Sequence, residues 1–217
     1  MKVFVSIGSG PGIGYATAER FAKEGFQIVL TARNIERVEG LAAQLRGKGY
    51  RAEAHKLDAG DVAAVGGLIA DVERRLGQID VLHYNAASLR QATVADQPAS
   101  TFVSDLAVNI GGALAATQAA SPRMLARREG AIFFTGGFFG LTPNPGYASL
   151  SVGKAGVRNL ALGLFGGHRE QDVHVATLTV AAFVAPHSKE SNDIAEEFWK
   201  LYAQPKGAWV AEVTYSG

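Results

Sequence analysis

Ile7-Gly8-Ser9-Gly10-Pro11-Gly12-Ile13-Gly14 follows an apolar run, Val3-Phe4-Val5, and precedes a helical pattern of Tyr15, Ala18, Phe21 and Ala22 that stops at Gly25. Strand, glycine turn and helix in that order bring backbone N–H groups to a helix N-terminus, where they hold phosphate. Gly8 permits the tight turn, Gly12 a close approach to a pyrophosphate, and Gly14 close packing of helix on sheet. The spacing is Gly-x-x-x-Gly-x-Gly, not the Gly-x-Gly-x-x-Gly of the commonest dinucleotide folds. A glycine loop without a ligand is the alternative, and the flanking elements favour the nucleotide.

Downstream the pattern repeats. Phe26–Leu30 reads as a second strand, ending at Thr31-Ala32-Arg33-Asn34, and a helix follows from about Ile35 to Lys48. Ala52–Leu57 alternates as a strand and reaches Asp58, after which Asp61 caps a helix that stops at Gly77. Asp80–Tyr84 is a fourth strand running into Asn85-Ala86-Ala87. A long helix from about Ser100 to Ala126, a strand at Ala131–Thr135, a helix at Tyr147–Gly166 and a strand at Val173–Val180 come next. A short helix (Ile194–Tyr202) and a last strand (Trp209–Tyr215) close the series. This alternation, without repeats or linkers, predicts an α/β fold over residues 1–217. It is read as a single NAD(P)-binding Rossmann-like domain, a doubly wound, mostly parallel seven-stranded sheet with helices on both faces. Ligands in such sheets sit beyond the strands' carboxyl ends, where Gly8–Gly14, Arg33, Asp58, Asn85–Ala87 and Thr135–Gly137 all fall.

Composition narrows the function. The 217 residues are 47% hydrophobic and 19% charged, with 21 basic against 20 acidic side chains and no basic block. That balance argues against nucleic acid or an anionic membrane as partner. No cysteine is present, which removes disulfides and thiolate metal sites and is compatible with a cytoplasmic location. The apolar runs near Ala131–Leu141 and Val173–Pro186 are too short or too glycine-broken to span a bilayer, so a soluble protein is expected. His55, His83, His168, His174 and His187 share no metal-ligand spacing, and they are read as structural or surface residues, with no metal.

Together, in order and over nearly the whole length, these motifs resemble the short-chain dehydrogenase/reductase family. Ile7–Gly14 matches its Thr-Gly-x-x-x-Gly-Ile-Gly except for Ile7, and Tyr84–Ala87 matches its Asn-Asn-Ala-Gly at the middle two positions. Asp58 stands where the family has an Asp beside the adenine, and Asn109 matches the helical Asn of its proton relay. The resemblance implies a cofactor lying against Gly8, Ser9, Gly10, Gly12, Ile13 and Gly14, then Asp58, Asn85, Ala86, Ala87, Lys154 and Val184. It also implies a homodimer or homotetramer through the two long helices. Their Gly and Ala content suits close helix approach.

The match fails where the chemistry is done. Lys154 aligns with the Lys of the family's Tyr-x-x-x-Lys, but Leu150 stands at the Tyr position and Gly137 at that of the Ser. Ala181-Ala182 replace the Pro-Gly that follows the sixth strand. Carbonyl reduction needs a proton donor within reach of the developing alkoxide, and the ammonium of such a Lys lowers the phenol pKa. Two substitutes are in range. Thr135 lies two residues before Gly137, on the same face of an extended strand. Tyr147 lies seven before Lys154, at nearly the same helical azimuth but about 10 Å back along the axis. Phe138, Phe139 and Tyr147 would line an apolar pocket over the nicotinamide.

Arg33 stands where NAD-specific folds place an acidic residue, and a guanidinium suits a 2′-phosphate. NADP(H) is therefore expected over NAD(H). Two functions remain: an NADP(H)-dependent oxidoreductase on a small carbonyl or alcohol with rearranged catalytic residues (Lys154, Asn109, Tyr147, Thr135), or a non-catalytic NADP(H)-binding sensor or partner subunit.

Overall fold

The computed structural model describes residues 1–217. Seven strands, β1 (Val3–Ile7), β2 (Gln27–Ala32), β3 (Ala52–Lys56), β4 (Val81–Tyr84), β5 (Gly130–Thr135), β6 (Val173–Val180) and β7 (Glu212–Tyr215), form one sheet in the order β3-β2-β1-β4-β5-β6-β7. Every pairing is parallel. A parallel sheet needs both faces covered. The helices α1 (Ile13–Lys23), α2 (Ile35–Gly47) and α7 (Lys189–Ala203) cover one face. The other face carries α3 (Val62–Leu76), α5 (Gly112–Arg127) and α6 (Ala148–Glu170). Strand residues alternate between the two cores: Phe4, Val81, Ala131 and Phe133 pack under α1 and α7, whereas Val5, Leu82, Ile132 and Phe134 pack under α3, α5 and α6.

The long helix expected at Ser100–Ala126 is built in three pieces: α4 (Ala99–Leu106), a π-helical turn (Ala107–Gly111) and α5, with Pro122 inside the last. A π turn inserts one extra residue into the ladder, a feature frequent at functional sites. By length and composition the stretch Ala99–Arg127 is apolar enough to cross a membrane, and 28% of its apolar window is buried. In this fold it lies against α3, α6 and the sheet. Helix α7 begins five residues before the expected Ile194, because Ser188 caps it by accepting from Ser191 N. The last strand is shorter than expected, starting at Glu212.

Candidate active site

The glycine turn leaves β1 at Gly8, whose φ of +89° lies in the left-handed region. A Cβ there would stand 2.4 Å from Ala86 Cα, so the turn also presses on the end of β4. Asn85 fastens the contact by donating from Nδ2 to Gly8 O at 2.7 Å. Gly14 is bare for a related reason, since its Cβ would meet Ser9 Cα at 2.9 Å and Asn85 Nδ2 at 3.2 Å. Ser9 is buried, its hydroxyl donating to Ser6 O and accepting from Thr31 N. Its side chain therefore braces the turn from behind.

The outer side of the turn is open. A Cβ on Gly10 would meet nothing, and one on Gly12 nothing nearer than Ala185 O at 4.0 Å. The N–H groups of Gly10, Gly12, Ile13 and Gly14 have no acceptor in the chain. Helix α1 has no side-chain cap and no acidic residue in its first turn. Unsatisfied N–H groups and the positive end of the helix dipole together suit an anion such as a pyrophosphate. Arg33, just past β2, is exposed and pairs with no carboxylate. Asp58, past β3, is exposed and accepts from Gly60 N at 2.9 Å. Ala86 and Ala87 follow β4, and Val184 follows β6, part-buried against the α1 side of the core. These residues line one edge of the sheet, and they fit a dinucleotide laid across it.

At the other end of the crevice, Lys154 projects from α6 and donates from Nζ to Thr135 O at 2.7 Å. An ammonium carries three donors, so two remain unused. Burial brings its pKa down from 10.5 to about 8. It forms no ion pair. Gly140 permits this placement: a Cβ there would come 2.8 Å from the Lys154 carbonyl carbon. Gly137 is extended (φ −172°, ψ 149°), and a Cβ on it would touch Lys154 Cγ, Cδ and Cε at 3.4 Å. Leu150, one helical turn before Lys154, is buried.

Thr135 does not share a face with the Gly137 position. Strand β5 ends at Thr135, so the two-residue alternation no longer holds beyond it. The Thr135 hydroxyl lies 2.9 Å from His83 Nε2, under α7, whereas a side chain at 137 would face the Lys154 stem. His83 is fully buried against Phe4 and Phe198. Burial first, and the nearby Lys154 charge second, push its pKa to about 3, so it is neutral. Tyr147 is the N-cap residue of α6 and not its first helical residue. Its ring lies 5.4 Å from that of Phe139, with Phe138 exposed beside them. Its hydroxyl has no partner in the chain.

Asn109 sits in the π turn, 2% exposed, accepting from Ser88 N at 2.7 Å and reaching Ser149 O at 3.5 Å. Gly153 leaves room for it, since a Cβ there would lie 2.5 Å from Asn109 Cβ. Beneath it is a carboxylate that sequence reasoning missed. Asp105 accepts from the Ser88 hydroxyl, Arg90, Gln97 and the Ser149 hydroxyl. Burial opposes its charge, but the donors from Arg90, Ser88 and Ser149 prevail and hold its pKa at about 2. Ser88 and Ser149 are thus pinned twice, and with them the amide of Asn109. The partners lie far apart in sequence, and no short motif signals them. No group of three His, Asp or Glu side chains is arranged to hold a metal ion.

A doubly wound parallel sheet with a glycine turn feeding a helix N-terminus, and a helical Lys at the opposite end of the same crevice, defines a dinucleotide-binding α/β protein. Residues 2–195 match the short chain dehydrogenase family model, and the chain belongs to that family. It is 30% identical over 154 residues to 2,3-dihydro-2,3-dihydroxybenzoate dehydrogenase of Bacillus subtilis, a match covering 71% of this chain and 59% of that enzyme's length. It is 29% identical to an uncharacterized oxidoreductase of Staphylococcus aureus, covering 98% of this chain and 96% of the relative. Among solved structures, a metagenomic short-chain oxidoreductase in complex with NADP superposes with a TM-score of 0.91 at 25% identity, covering 99% and 96% of the two chains. The relatives matched are named as dehydrogenases and oxidoreductases, and the chain spans less than two thirds of the length of the first of them.

Proposed function

We propose that this protein is an NADP(H)-dependent reductase of small apolar carbonyl compounds, with its catalytic residues rearranged around Lys154. The observation that carries the proposal is the complete cofactor cradle: four free N–H groups at the start of α1, with an unpaired Arg33 beyond β2. A reduced nicotinamide bound there supplies a hydride to a carbonyl carbon. Lys154 holds the cofactor end of the crevice, and Asn109 orders the loop after β4 through Ser88. Tyr147 offers a free hydroxyl, and Phe138 and Phe139 an apolar wall. The NADP complex of the metagenomic relative supports the choice of cofactor, as does the lack of an acidic residue at Thr31, Ala32 or Arg33. Calorimetry tests it. Arg33→Asp should weaken NADPH binding by about 1.5–3 kcal/mol, tenfold or more. Equal wild-type affinity for NADPH and NADH would overturn the preference.

Leu150 and Gly137 favour a second reading, a protein that binds NADP(H) without turning it over. Steady-state NADPH oxidation with a carbonyl panel separates the two. We also propose a homodimer or homotetramer through α4–α5 and α6. A cleft of about 650 Å³ between them is lined by Phe102, Val103, Pro143, Pro145, Ala148 and Val152, and Val103 and Val152 are exposed. A second copy would cover this apolar face. A cytoplasmic location is the matching proposal for a chain without cysteine.

A further inference from the structure

We propose that Lys154 is itself the proton donor to the substrate's carbonyl oxygen, an assignment that rests on the reductase reading above. Its position is the first support. The stem of Lys154 lies against Gly137, so close that a Cβ at 137 would touch three of its carbons at 3.4 Å. The amine therefore occupies the part of the crevice that faces the turn after β5, and is not shielded from it by a residue at 137. Leu150, buried one turn earlier, has no polar group to take the proton-donor role in place of the amine.

Its hydrogen bonding is the second. Thr135 O takes one N–H and fixes the direction of Nζ. A carbonyl accepts without offering a proton in return, so the two remaining N–H groups are free for a cofactor hydroxyl and a substrate oxygen. The third support is the electrostatic setting. On β4, His83 is neutral and donates no charge to the site. On α4, Asp105 is paired with Arg90. On β6, His174 lies at the opposite end of the strand from Leu178, the residue in register with Thr135. On α6 itself, Arg158 is paired with Glu212. Strand β5, the turn after it and the π turn contribute no ionisable side chain. No anion therefore stabilises the ammonium, and burial lowers its pKa to about 8. That value suits proton transfer near neutral pH, where a donor must be both protonated and willing to release.

The step balances. As hydride reaches the carbonyl carbon, the carbon–oxygen π pair moves to oxygen. An N–H bond of Lys154 breaks and an O–H bond forms. Lys154 is left as a neutral amine and takes its next proton from water.

The test has two arms. In cofactor-free protein, acetylation of Lys154 by acetic anhydride is followed by mass spectrometry from pH 6 to 11. Labelling is expected to rise through about pH 8; a midpoint at the ordinary lysine value, or no labelling below pH 10, overturns the assignment. In the second arm, NADPH oxidation is measured with benzaldehyde, hexanal and cyclohexanone. Lys154→Arg keeps the charge and the donors but releases no proton, and should lose at least 100-fold in rate while NADPH affinity changes by less than threefold. Lys154→Ala should regain rate with added ethylamine in proportion to its protonated form. Retention of more than a tenth of the rate in Lys154→Arg, or no rescue of Lys154→Ala, overturns the role of Lys154 and leaves the reductase reading standing. A wild type that binds NADPH but oxidises it with none of the three probes overturns both.

Discussion

Replacing Lys154 by Met should make the protein more stable at neutral pH. The amine is held in the folded chain at a pKa of about 8, against 10.5 for an unhindered lysine. Below pH 8 the folded state must carry a charge that its surroundings disfavour. At about 1.4 kcal/mol per pH unit this penalty is about 3 kcal/mol. Met fills a similar volume and carries no charge, but forfeits the bond to Thr135 O, worth about 1 kcal/mol. The net gain at pH 7 is about 2 kcal/mol, or about 4–8 °C in melting temperature for a chain of this size. Because the folded pKa lies below the unfolded one, wild-type stability rises with pH between about 8 and 10.5. The advantage of Met shrinks over that window and is gone above it. Thermal melts of both proteins from pH 6 to 11 measure the gap. A gap that does not depend on pH, or a variant less stable at pH 7, would refute the idea that burial of this amine is uncompensated.

Other outcomes follow from the same geometry. Gly8→Ala forces a Cβ into a left-handed residue and onto Ala86 Cα, and should cost about 3 kcal/mol or more, read as a lower denaturation midpoint. Val152→Asp places a charge on the apolar face between α4 and α6; light scattering at micromolar concentration should then give a smaller particle than the wild type, and a wild type that is already monomeric refutes the assembly. The pair Gly137→Ser and Leu150→Tyr restores the family pattern. The extended backbone at 137 accepts any residue, so the pair should fold and raise the carbonyl-reduction rate at least tenfold in steady-state assays.

The glycine turn was legible because its function is local: strand, turn and helix occupy consecutive residues, and the requirement for bare backbone leaves glycines behind. The parallel, doubly wound sheet and the place of Arg33, Asp58 and Asn85 at its carboxyl edge followed from the alternation of strands and helices. What stayed hidden depends on contacts across the sequence. The π turn around Asn109 is not legible in the sequence, since its five residues, Ala107–Gly111, are too few to show a period of their own. Asp105 looks like a solvated helix residue until Arg90, Gln97 and Ser149 are folded around it. Thr135 reads from the sequence as sharing a face with Gly137, because the sequence does not mark where β5 stops. His83 reads from the sequence as structural or surface, and the structure buries it and adds the partner, Thr135, that no spacing rule links to it.

The substitutions at the catalytic positions are coupled through charge. In the pattern that the family resemblance implies, a phenol one turn before the lysine loses its proton more readily because of the ammonium, and the ammonium gains an anionic partner in return. Leu150 abolishes that exchange in both directions. It removes the phenol, and it leaves Lys154 buried with a single carbonyl acceptor and no counter-charge. The desolvation of the buried ammonium then stands without a counter-charge, and the amine is the more acidic for it. On the proposal that Lys154 donates the proton, loss of the usual donor and use of another both trace to one apolar side chain. Reinstating Tyr at position 150 should reverse both. A phenol beside Nζ would draw the Lys154 midpoint back up toward 10.5, and the alkaline limb of the rate profile would then report the phenol in place of the amine.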